Sequence, residues 1–123
     1  MNLGDAIAWL ATGLYPATGA AGVVFRRLFS GALARRLRPH FILGYVVLGL
    51  GLVHAGFAMP AMGSLNATSA WLATTAIAGL GVQTFLGMSL QAPGVYRTPL
   101  RRWHLVTMCA AGAAIAGHVA LTL

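Results

Sequence analysis

An all-α, integral-membrane four-helix bundle is the fold class the sequence predicts, and three observations predict it. The 123 residues are 59% hydrophobic and only 7% charged, against about 25% charged in an ordinary soluble domain. Mean hydropathy is +0.80. So few charges cannot cover a water-facing surface, and most of the exterior must meet lipid. Four apolar stretches, 5–25, 40–62, 68–90 and 103–123, are each long enough to cross a bilayer, which takes roughly 20 helical residues. Finally, the cations are confined to two of the three separators, with almost no hydrophilic sequence elsewhere. Residues 1–123 read as one four-span domain.

The first stretch, MNLGDAIAWLATGLYPATGAAGVVF, lacks the positive n-region of a signal peptide and carries Asp5, the chain's single acid, instead. It reads as a retained span, with Pro16 expected to kink it. The separator RRLFSGALARRLRP (26–39) holds five of the eight arginines. Pro39 stands before His40, a good first-turn position for the second helix, and Pro60 marks that helix's end. A short turn region, PAMGSLNATS (60–69), leads to the third span. QAPGVYRTPLRR (91–102), punctuated by Pro93 and Pro99, leads to the fourth and holds the other three arginines. Trp9, Trp71 and Trp103 lie near helix ends and read as interfacial anchors.

All eight basic residues are Arg, and the pI is near 11.5. Nucleic acid is not the implied partner, because binding it needs an ordered, soluble basic face. In a four-span chain the first and third loops lie on one side. The positive-inside rule then places both Arg-rich loops in the cytoplasm and both termini outside. Cys109 is the only cysteine, so no internal disulfide is possible.

The four histidines form the chemical signal. Residues 40–54 read HFILGYVVLGLGLVH, and residues 104–118 read HLVTMCAAGAAIAGH. Each pair is separated by thirteen residues, and the chain has no other histidine. Fourteen helical steps rise about 21 Å and turn about 1400°, roughly 40° short of four full turns. His40 and His54 therefore share one face of the second helix near its two ends, and His104 and His118 do the same on the fourth. These two helices run in the same direction. His40 is thus level with His104 near the cytoplasm, and His54 is level with His118 nearer the outside. A planar ligand taking one imidazole from each side fits each pair, and that ligand is haem with both axial positions filled. The expected cofactors are two b-type haems, with His40, His104, His54 and His118 as iron ligands. Filled axial positions favour electron transfer over oxygen chemistry.

Small residues on the histidine faces fit this reading. Gly44 and Gly51 lie four and eleven residues after His40, and Gly117 directly precedes His118. They would let a porphyrin edge approach the backbone; close helix packing is the alternative for each. Helices one and three would wall the sides and supply no ligand. Arg38, Arg101 and Arg102, within a turn of the inner histidines, could pair with haem propionates or with lipid headgroups. The outer propionates would rely on water, backbone, or polar groups such as Ser64, Asn66 and Thr68. Tyr45 and Tyr96 could border a quinone site.

The arrangement resembles the di-haem cytochrome b membrane core, which carries His-x13-His on the second and fourth of its helices. It is similar also to ferric-reductase-like and NADPH-oxidase-like membrane domains. The likeness rests on His40, His54, His104, His118 and the neighbouring glycines. It implies that His40 and His104 hold an inner haem and His54 and His118 an outer one. The chain contains no Glu, so the Pro-Glu-Trp-Tyr motif of quinol oxidation is missing, and no flavin- or nucleotide-binding segment follows. The implied role is a minimal electron wire, alone or as one subunit of an oxidoreductase. Its partners would be the lipid bilayer, a redox protein or quinone, and further copies or subunits. Three rivals remain: a small four-span transporter with histidine proton relays, a copper handler using Met59, Met62, Met88, Met108 and Cys109, and a bare membrane anchor.

Overall fold

The computed structural model describes residues 2–92 and 97–122. Pro93 and Tyr96, singled out above, lie outside them. The protein is all-α, with α1 spanning Leu3–Leu28, α2 Leu33–Ala58, α3 Ala67–Ser89 and α4 Arg97–Thr122. A 3-10 helix, Met59–Ser64, links α2 to α3. All four α-helices are long and apolar enough to cross a membrane. The chain divides into two compact units, one ending at His54 and the next beginning at Ala55.

Helix α1 starts with a capping box. The Asn2 side chain accepts from the Asp5 backbone N–H at 2.8 Å, and Asp5 Oδ2 accepts from the Asn2 backbone N–H at 3.0 Å. The only acid in the chain thus satisfies an orphan donor and complements the positive end of the helix. The helix runs unbroken through Pro16 to Leu28, with Arg26 and Arg27 in its last turn. Arg36 Nη1 then donates to the backbone oxygens of Arg26 (3.0 Å) and Phe29 (3.3 Å). Those terminal carbonyls lack partners within the helix. Gly31, with φ +103°, turns the chain into α2, in a region where a Cβ would be strained.

Helices α2 and α4 begin earlier than the apolar stretches do, at Leu33 rather than 40 and at Arg97 rather than 103. Hydropathy marks where hydrocarbon starts, whereas helical hydrogen bonding continues through the arginine turns in the interface. Pro39 is therefore an interior residue of α2, not its first turn, and forgoes one backbone bond. Pro60 does end α2, standing at the start of the 3-10 helix. Pro99 falls in the first turn of α4, where a missing N–H costs little.

Among the described residues little is buried, and most of what is buried is small. The core comprises Ala21, Val47, Ala76, Leu80, Ala111 and Ala114, with Thr18 and Ser69. Trp71 and Phe85 are 73% and 67% exposed, as expected of side chains that face lipid. Without a hydrophobic drive between helices in lipid, association depends on close packing of small residues. In the second unit a Cβ on Gly79 would come within 2.9 Å of the Ala111 Cβ, so α3 and α4 touch backbone to backbone there. Three threonine hydroxyls within the spans bond to their own helix. Thr18 bonds the oxygen of Leu14, Thr84 that of Leu80, and Thr107 that of Trp103, the usual way to keep a hydroxyl in hydrocarbon.

Candidate functional site

Each histidine is half-buried and lies against the helix that precedes its own. In the first unit, His40 Nδ1 is 2.8 Å from the backbone oxygen of Thr18, and His54 Nδ1 is 3.2 Å from that of Gly4. Gly4 and Thr18 are fourteen residues apart, the same step as the histidines. Antiparallel helices of equal rise bring both contacts into register at once. A helical carbonyl has a second lone pair beyond the one used in its own ladder, so neither contact breaks α1. Gly22 completes the seat of His40. A Cβ there would lie 3.2 Å from Nδ1 and 3.5 Å from Cε1 of the ring.

The second unit repeats the design. His118 Nδ1 is 3.1 Å from the backbone oxygen of Ser69 and 3.0 Å from its Oγ. Ser69 sits in the first turn of α3, where its backbone N–H is capped by the Asn66 side chain at 2.7 Å. It occupies the place that Gly4 has in α1. His104 lies beside Gly87, whose Cβ would come 3.6 Å from the ring's Cε1; Gly87 matches Gly22. Val47 and Ala111, each seven residues from both histidines of its helix, are buried at 2% and 1% exposure. The repeat visible in sequence as two histidine-bounded segments therefore extends to α1 and α3.

A carbonyl oxygen can only accept a hydrogen bond. In the neutral form of His40, His54 and His118 the proton therefore sits on Nδ1, and Nε2 carries the lone pair. Imidazoles that bind metals are held in this way, with the remote N–H tied to a carbonyl that fixes the ring and raises its basicity. The donor set thus suits a bis-imidazole group. Among the described residues no three His, Cys, Asp or Glu side chains gather as a metal centre would gather them.

The remaining expected site residues are placed differently from one another. A side chain on Gly44 would meet nothing within 4 Å, and Gly51 is buried. The space beside Gly117 is filled by α3, since its Cβ would lie 3.1 Å from Leu72 Cδ1. This favours helix packing, the second of the two roles expected for it. Arg38, Arg101 and Arg102 are exposed one turn or less before His40 and His104. Arg102 and Trp103 border an open groove on α4 together with Thr98, Pro99 and Val106. Reading the residues alone missed Gly4, Thr18 and Ser69 as histidine partners. For Gly4 and Thr18 the available signal was their spacing of fourteen residues, which matches that of His40 and His54.

No protein-family model, curated protein or solved structure matches this chain. The functional reading therefore stands on these residues and their geometry.

Proposed function

We propose that this integral membrane protein is a di-haem b-type cytochrome that carries electrons through the bilayer. His40 and His104 would hold the inner haem, and His54 and His118 the outer one. The observation that carries the reading is the Nδ1–carbonyl bonding of His40, His54 and His118. It leaves Nε2 able to donate its lone pair, at two depths about 21 Å apart on each helix. Bound iron porphyrin supplies reversible one-electron chemistry.

The chain's own residues do the rest. Thr18, Gly4 and Ser69 hold the rings and their protons through the bonds already described. Gly22 and Gly87 leave room for the two inner rings. The apolar helices exclude water and lower the dielectric around the ligands. Arg38, Arg101 and Arg102 are placed to meet carboxylates or lipid phosphates on the inner side, and the positive-inside rule assigns that side to the cytoplasm, with both termini outside. A redox protein or quinone would supply or accept the electrons. The copper reading has less support, since Met59, Met62, Met88 and Cys109 are exposed and scattered over three elements.

The deciding experiment is a reduced-minus-oxidised visible spectrum and a haem-to-protein ratio on the purified chain, expressed with ample haem. The expected result is a b-type spectrum and a ratio of two. Colourless protein would overturn the reading.

A further inference from the structure

Ser69 is the most enclosed polar residue of the core, at 0% exposure. Its hydroxyl lies on a different helix's imidazole, whereas Thr18, Thr84 and Thr107 return theirs to carbonyls of their own helices. Capping does not account for it, because Asn66 uses the backbone N–H of Ser69 and not its side chain. The corresponding residue of the first hairpin, Gly4, presents only a carbonyl to its histidine, at 3.2 Å.

The Ser69 carbonyl forces the proton onto His118 Nδ1, as derived above. The Ser69 Oγ, 3.0 Å away, must then accept from the same N–H, which it shares with the carbonyl. Two acceptors on one N–H draw the proton further from the ring. Electron density shifts toward Nε2, which would be a stronger donor to a bound iron and would favour its ferric state.

We propose that Ser69 is a positioning residue that lowers the reduction potential of one haem only, the one held through His118, by hydrogen bonding to the far nitrogen of that ligand. The inference rests on the di-haem reading of the preceding section. It makes the two haems unequal by a device that resides in a single side chain of α3.

The test is an optical redox titration of the full-length protein with Ser69→Ala, Ser69→Gly and Ser69→Thr, alongside the haem-to-protein ratio of each. Ser69→Ala and Ser69→Gly should keep both haems. One midpoint should rise, namely that of the haem missing from a His118→Ala variant, and the other should stay in place. Ser69→Thr, which retains the hydroxyl, should titrate as the parent does. The Gly variant tests the point independently if the methyl of Ala disturbs the first turn of α3. Two unshifted midpoints in both variants, equal shifts of both midpoints, or a Thr variant that behaves like Ala would overturn the role of Ser69 while leaving the cytochrome reading intact. A parent protein without haem would overturn both.

Discussion

Replacing Gly22 should disturb His40, one of the four proposed haem ligands, while leaving the fold in place. An alanine methyl at this position would sit 3.2 Å from His40 Nδ1, 3.5 Å from Cε1 and 3.6 Å from Cγ. The comfortable range for such contacts is about 3.5–4.0 Å, so only the contact with Nδ1 falls short, and by a few tenths of an ångström. The ring cannot retreat freely, because that same nitrogen is tied to the Thr18 oxygen at 2.8 Å. Moving it stretches a hydrogen bond whose net worth is about 0.5–1.5 kcal/mol. Alanine in place of glycine returns about 0.5–1 kcal/mol of helix stability. The two nearly cancel, so Gly22→Ala should unfold within about 1 kcal/mol of the parent yet hold its inner haem less tightly. Gly22→Val adds a branch and the overpacking cost of about 1–3 kcal/mol, and should reduce the haem-to-protein ratio from two toward one. Gly13→Ala is the control, since its Cβ would meet nothing within 4 Å. Haem quantification and redox titration on the three variants check this. Gly22→Val protein with two haems and unchanged potentials, or one that loses both haems together, would refute the argument that Gly22 seats His40.

Gly79→Ala should destabilise the second hairpin by about 1–3 kcal/mol, because its Cβ would lie 2.9 Å from a Cβ fixed to the backbone of Ala111; Gly81→Ala, with nothing within 4 Å, should instead stabilise by up to about 1 kcal/mol, and thermal denaturation in detergent compares them. Arg36→Ala removes both bonds to the end of α1 and should cost about 0.5–1.5 kcal/mol, visible as faster hydrogen exchange in the last turn of α1, with no change in the visible spectrum. Replacing His40 or His104 by Ala should remove mainly one haem, and replacing His54 or His118 the other; equal loss of both from every variant would refute the pairing.

Much of the architecture is legible in local sequence. The four spans follow from runs of apolar residues, because hydrocarbon thickness sets their length. The histidine faces follow from the helical period, because fourteen residues return nearly to the starting azimuth. Helix ends are less legible. Arg35 and Arg36 in α2, and Arg97 to Arg102 in α4, are helical although they lie beyond the apolar run, since arginines in the interface lose nothing by completing helical turns.

The amino-acid order by itself determined that this chain has four helices long and apolar enough to cross a membrane, and that its histidines fall fourteen residues apart on one face of the second and again of the fourth. Only the tertiary structure decided what holds those histidines. The carbonyls of Gly4, Thr18 and Ser69 are chosen by antiparallel packing within each hairpin. Every residue carries the same backbone oxygen, so no letter in the sequence marks the one that meets a ring. The close approach allowed by Gly79 and Ala111, and the seat left by Gly22, bring helices near enough for that contact to form.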